Sequence, residues 1–172
     1  MKKTWISFAA IFSFGFGILA MAEAPKVGTD APQVVAQDHL GATIDSKKLK
    51  GQWVLFYFYP KDDTPGCTKQ ACAIRDEYAA FKKAKITVLG VSRQNKKSHE
   101  EFASKYKIPF SLLLDEEGKI GEAFGISSIP VIGIWKRQSV LVNPEGKISL
   151  FIESVDPETH HKVVLDHVKA SK

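Results

Sequence analysis

Apolar positions along the chain fall into short unbroken runs, separated by stretches where they recur every three or four residues. Trp53 to Tyr59 is apolar at every position and rich in aromatics, the pattern of a strand buried on both faces. Pro60 ends it. Beyond Pro60, Ile74, Tyr78 and Phe81 recur at helical spacing. They predict one helix running from an N-cap at Thr64, with Pro65 at its first position, to about Lys83. Ile86 to Val91 and Ser111 to Leu114 read as further strands. Ser98-His99-Glu100-Glu101 has the form of a capping box opening a helix to about Tyr106. Ile120 to Phe124 reads as a short helix, and Asp156 as the cap of a last helix from Pro157 to about Ala170.

Two hairpins frame this series. Val34-Val35 and Ala42 to Ile44 flank Asp38-His39-Leu40-Gly41, and Ser139 to Val142 and Lys147 to Ile152 flank Asn143-Pro144-Glu145-Gly146. Asp45 to Lys50 predicts one helical turn closed by Gly51. Gly125 to Lys136 lacks periodicity and reads as a long surface loop, where function often sits. Strands alternating with helices indicate an α/β layered domain, parallel where a helix intervenes and antiparallel at the terminal hairpin.

The first residues have a different layout. Lys2 and Lys3 precede an apolar stretch from Trp5 to Ala20, and Ala20-Met21-Ala22 offers small residues where a signal peptidase reads. The stretch is shorter than the ~20 residues of a membrane span, and no cysteine is present for a lipid anchor. The expectation is a secretory signal over residues 1–22 and a single domain over 23–172. That domain would be periplasmic or secreted, with no stable membrane association after cleavage, in a compartment where disulfides persist. Without Lys2 and Lys3 the formal charge falls from +5 to +3. The lysines are scattered among acids rather than gathered on one face, which argues against a nucleic-acid partner.

Both cysteines lie within "FYPKDDTPGCTKQACAIRD", at Cys67 and Cys72. With Thr64 as N-cap, Cys67 occupies the first helical turn, where the helix dipole and unpaired N–H groups favour a thiolate. Lys61, Lys69 and Arg75 add positive charge nearby, while Asp62 and Asp63 oppose it. Gly66 leaves the backbone open to close approach. Cys72 is five residues further on, so ideal helical geometry separates the two Cα atoms by about 8.6 Å. A disulfide requires no more than about 7 Å, so a bond between them requires the first turn to unwind. A permanent staple closing so short a loop adds little stability, and a conditional bond fits the spacing better. A structural disulfide, a metal site and two inert buried thiols stay open as alternatives. His39, His99, His160, His161 and His167 are far away in sequence and read first as surface or helix-end residues. There is no C-x-x-C motif.

"PKDDTPGC" resembles the active-site signature of the peroxiredoxins, and the longer stretch is similar to their bacterioferritin comigratory (Q-type) group. That group often places a resolving cysteine five residues after the peroxidatic one. "VGTDAP", "WVLFYFYP" and "LVNPEGKI" extend the resemblance over most of the remaining chain. It implies a thioredoxin-like three-layer fold with a central mixed β-sheet flanked by helices, and a thiol peroxidase without metal, haem or other cofactor. It also implies a peroxide substrate, reduction by a thioredoxin-like dithiol protein, and a monomer resolved within one chain. Carried over, Cys67 is peroxidatic and Cys72 resolving. Thr64 hydrogen-bonds the thiolate or peroxide, Pro60 shields the site, and Arg137 is the family arginine, with Lys136 as its neighbour and competitor. Gln138 and Val140 depart from the more usual Ser and Phe, and "SSIPVIGIWK" is less typical of the group. The competing function is a thioredoxin-fold copper metallochaperone using the two cysteines and a histidine.

Overall fold

The computed structural model describes residues 23–171; the expected signal segment lies outside the described residues. A five-stranded sheet forms the centre. Its strands are β3 (Trp53–Phe58), β4 (Ile86–Ser92), β5 (Ser111–Leu114), β6 (Gln138–Val142) and β7 (Ile148–Ile152), in the order β5-β4-β3-β6-β7. β4 runs parallel to β3 and to β5, across helical crossovers, while β6 runs antiparallel to β3 and to β7. A separate antiparallel pair, β1 (Val35–Gln37) and β2 (Thr43–Asp45), forms the expected hairpin with Ala36 opposite Ile44.

β3 is buried at all six positions because both its faces are covered. Leu55, Tyr57 and Tyr59 point into one core, with α1 (Pro65–Asp76), α2 (Tyr78–Lys83), α3 (Lys96–Tyr106) and α5 (His160–Ala170). Val54, Phe56 and Phe58 point into the other, where α4 (Lys119–Ala123) brings Ile120 and Trp135 closes the layer. This is the three-layer mixed sheet that the resemblance implies. No helix among the described residues is long and apolar enough to cross a membrane.

Several expected elements are corrected. The helix from Thr64 to Lys83 is two helices, broken at Glu77, whose backbone (φ −98°, ψ 11°) leaves the helical region. Ile74, Tyr78 and Phe81 still fall on one side, which is why the periodicity reads straight through. α3 begins two residues before the expected capping box. Asn95, an equally good cap, accepts from the Ser98 N–H through its Oδ1 at 3.0 Å. The last helix begins at His160, after a turn in which Asp156 accepts from the Glu158 N–H. Asp45 caps a short 3-10 turn, Ser46–Leu49, as its side chain accepts from Lys47. Within the expected surface loop, Trp135 is buried and pairs with Ser128 across an isolated bridge.

Candidate active site

β3 delivers the chain to the site. After its last residue the segment 59–64 turns into α1, so the first turn of α1 sits at the end of β3. Thr64 occupies the N-cap position and Pro65 the first helical position, as expected. Cys67 follows in the first turn, 2% exposed. β6 brings the arginine to the same place. Its register sets Gln138 opposite Phe58, which carries Arg137 beside the exit of β3. The Arg137 carbonyl accepts from the Val155 N–H at 3.1 Å, fixing the backbone there.

The Arg137 guanidinium spans two partners. Nη2 donates to Cys67 Sγ at 3.4 Å, and Nη1 donates to Gln70 Oε1 at 2.7 Å. Gln70 lies one turn after Cys67 and is fully buried. Lys136, the competing cation, is exposed. Gly66 makes room for this arrangement: a Cβ there would lie 2.9 Å from Arg137 Nη2.

The two aspartates of the loop are both committed elsewhere. Asp62 is buried and receives three hydrogen bonds, from Tyr59 Oη at 2.7 Å, Ser98 Oγ at 2.6 Å and His99 Nδ1 at 2.8 Å. Burial pushes its carboxyl up, but the donors from His99, Ser98 and Tyr59 outweigh that and hold it below the usual carboxylate range. Asp63, at φ 55°, is tied to Lys105 at 2.6 Å and accepts from Tyr106 Oη at 2.5 Å. Their negative charge is thus met by α3 partners rather than facing a thiolate unopposed. Lys69 is likewise paired, with Glu158 at 2.6 Å, and Arg75 with Asp76 at 2.8 Å. Arg137 remains the cation in contact with Cys67.

The other expected residues are placed as follows. The Thr64 hydroxyl donates to the Lys61 carbonyl at 3.0 Å, so its one proton is engaged away from the sulfur. Pro60 is half-buried between β3 and the loop. Cys72 is half-buried on the same intact helix, and both thiols are free. Of the five histidines read as surface or helix-end residues, His160 and His161 do open α5 and His99 lies near the start of α3, but all three are buried there, as is His39. His99 lies under the site loop and His160 beside Gln70, each hydrogen-bonded to residues remote in sequence. Among the described residues no group of three or more His, Cys, Asp or Glu side chains is gathered to hold a metal. A groove of about 510 Å³ lined by His39, Leu40, Ile44 and Phe110 includes none of the site residues.

Gln70, His99 and His160 escaped the sequence reading. Gln70 had a signal, three residues after Cys67 and therefore on its helical face. The two histidines had none, because their partners are 37 and 90 residues away.

The AhpC/TSA family model matches residues 27–151. Peroxiredoxin Q, chloroplastic, of Oryza sativa subsp. japonica is 41% identical over 134 residues, 77% of this chain and 62% of that protein. The chain thus spans less than two thirds of the rice relative's length. The Sedum lineare protein of the same name is 41% identical, with 77% of this chain and 72% of that one covered. The structure of the Xanthomonas campestris bacterioferritin comigratory protein, studied for its alkyl peroxide reduction activity, superposes with a TM-score of 0.75. It is 31% identical, over 80% of this chain and 91% of that one. These relatives give no support to the copper-chaperone alternative. The periplasmic or secreted location expected from residues 1–22 is overturned by the plant relatives, which are chloroplastic by name. From its matched residues and its thioredoxin-like mixed sheet, the chain belongs to the AhpC/TSA family, in its peroxiredoxin Q group.

Proposed function

We propose that the protein is a thiol-dependent peroxidase that reduces hydrogen peroxide and organic hydroperoxides. The carrying observation is the Arg137 guanidinium on Cys67 Sγ at the first turn of α1. The Cys67 thiolate attacks the terminal peroxide oxygen. The O–O bond breaks, two electrons pass from sulfur to oxygen, and the alcohol or water leaves with a proton, giving Cys67 sulfenic acid. Arg137 and the first-turn N–H groups stabilise the charge that develops on the departing oxygen. Thr64 joins them by turning its hydroxyl from Lys61 toward the substrate, and Pro60 keeps water from the sulfur. Cys72 then displaces hydroxide, which leaves as water, and a Cys67–Cys72 disulfide forms. A thioredoxin-like dithiol protein returns both thiols by exchange.

The domain that performs this is residues 23–172, acting as a monomer because the resolving thiol is in the same chain. Residues 1–22 are a removable leader, which predicts Glu23 as the first residue of the mature protein by intact mass. The function is tested by mixing the reduced protein with hydrogen peroxide in a stopped-flow instrument and mapping the product by mass. A Cys67–Cys72 disulfide formed with one equivalent of peroxide is expected, with turnover abolished by Cys67→Ser. Near wild-type turnover in that variant would remove the assignment.

A further inference from the structure

Four side chains from three parts of the fold, α1, the start of β6 and α5, form one line of contacts. Cys67 Sγ accepts from Arg137 Nη2 at 3.4 Å, Gln70 Oε1 accepts from Arg137 Nη1 at 2.7 Å, and Gln70 Nε2 meets His160 Nδ1 at 3.0 Å. The identities of the donors fix the direction of every bond. A guanidinium only donates, so the amide oxygen of Gln70 must face Arg137 and its NH₂ must face His160. Nδ1 of His160 must therefore accept, which puts the proton of the neutral ring on Nε2. That Nε2 is buried without a hydrogen-bond partner. An unsatisfied buried N–H is costly, and a residue opening a helix could ordinarily escape that cost by turning outward.

The geometry points to His160 as a positioning residue for the peroxide reaction, one that holds Arg137 on Cys67 by fixing the amide orientation of Gln70. This inference rests on the peroxidase reading above. His160 touches neither the sulfur nor the peroxide; it acts through Gln70. With the amide reversed, an NH₂ group would point at the guanidinium, donor against donor, and Nη1 would lose its acceptor. Without an acceptor at position 160, the orientation is set by Arg137 alone. The groups facing the ring keep it neutral. They are the Gln70 amide from α1, Arg137 at the start of β6, the Tyr57 ring from β3 at 6.3 Å between centroids, and His161 on its own helix. Burial pushes the imidazole down to about 3, and His161 and Arg137 act in the same direction. Nδ1 thus stays an acceptor across the range in which thiol chemistry operates.

The test is the single-turnover rate of the reduced protein with hydrogen peroxide, for wild type, His160→Leu and His160→Asn. Leucine removes the acceptor and is expected to slow the reaction about tenfold, the scale of one lost hydrogen bond. Asparagine presents an amide oxygen to Gln70 Nε2 and is expected to recover most of that loss, which a packing role would not produce. A leucine variant as fast as wild type, or an asparagine variant as slow as leucine when both are folded, overturns the proposal. If the leucine variant does not fold, ¹⁵N NMR of the wild-type imidazole decides. The neutral Nε2–H tautomer at pH 7 is expected, and an Nδ1–H tautomer or a protonated ring overturns the proposal. A wild-type protein inert toward peroxide is the separate outcome that removes the peroxidase reading, and this inference with it.

Discussion

Arg137 holds Cys67 and Gln70 at once, with one nitrogen of its guanidinium on the sulfur at 3.4 Å and the other on the amide oxygen at 2.7 Å. A planar fork makes both contacts from one rigid group, and an ammonium cannot reproduce that geometry. Arg137→Lys is therefore expected to lose about two to three powers of ten in the rate of Cys67 oxidation, the scale of removing a preorganised donor. Stopped-flow mixing with peroxide measures it. A loss below about threefold would shift attention to exposed Lys136.

Gly66 offers a test of the same contact with both partners intact. A methyl group there would sit 2.9 Å from Arg137 Nη2. The atom it meets is the end of a flexible side chain, so the fold absorbs the change and the guanidinium shifts instead. Gly66→Ala is expected to leave the melting temperature nearly unchanged while slowing peroxide reduction about tenfold, as misplacement of a catalytic group does. A wild-type rate would mean that Arg137 has room the structure does not show.

Cys72 and Cys67 share one unbroken helix, and ideal spacing keeps their Cα atoms about 8.6 Å apart. The disulfide therefore requires the first turns of α1 to open. Hydrogen exchange from Thr64 to about Arg75 is expected to be faster in the oxidised protein than in the reduced one. Cys72→Ser is expected to react once, stall as sulfenic acid and proceed to sulfinic acid at higher peroxide. Equal exchange in both redox states would contradict the unwinding.

Asp62 ties the site loop to α3 through Ser98 and His99. Its carboxyl is held below the usual range, because the hydrogen bonds it receives outweigh its burial. A carboxyl lowered in the folded state contributes stability that is complete above its unfolded value, near 3.9, and is lost as pH falls through the folded value. Asp62→Asn is thus expected to cost about 3 kcal/mol at pH 7, where it removes a buried charge that accepts three hydrogen bonds. The difference from wild type should narrow below about pH 4. Urea midpoints at pH 7 and pH 3 measure both, and a difference that does not change with pH would exclude the Asp62 charge as its source.

The parts of the fold legible in the sequence were those with local causes. Trp53 to Tyr59 reads as a two-faced buried strand because both its faces are covered, and Thr64-Pro65 marks the start of α1 because capping is a property of adjacent residues. The break at Glu77 was not legible, since apolar spacing continues across it and only the backbone turns. Cys67 was legible from its place in the first helical turn and Arg137 only through a resemblance, and the register of β3 with β6 supplies the physical reason they meet. The burial of His99 and of His160, at the start of α5, was not legible because it depends on partners on other elements. The site's long-range contacts come from strand order and helix packing, which no short stretch of sequence expresses.

The first turns of α1 are well packed in the reduced protein: Cys67, Gln70 and Ala71 are all buried, and Asp63 and Lys69 are tied to α3 and to the segment before α5. In the proposed mechanism, forming the disulfide would dissolve that packing, so the free energy of folding these turns would be subtracted from the stability of the bond. For a two-electron couple each tenfold change in that equilibrium is about 30 mV. The reduction potential of the proposed pair would thus be set partly by contacts that never touch sulfur. Loosening the Lys69–Glu158 or Asp63–Lys105 tie would make the disulfide more reducing and harder for its dithiol partner to open, and strengthening either would make the oxidised protein a better oxidant.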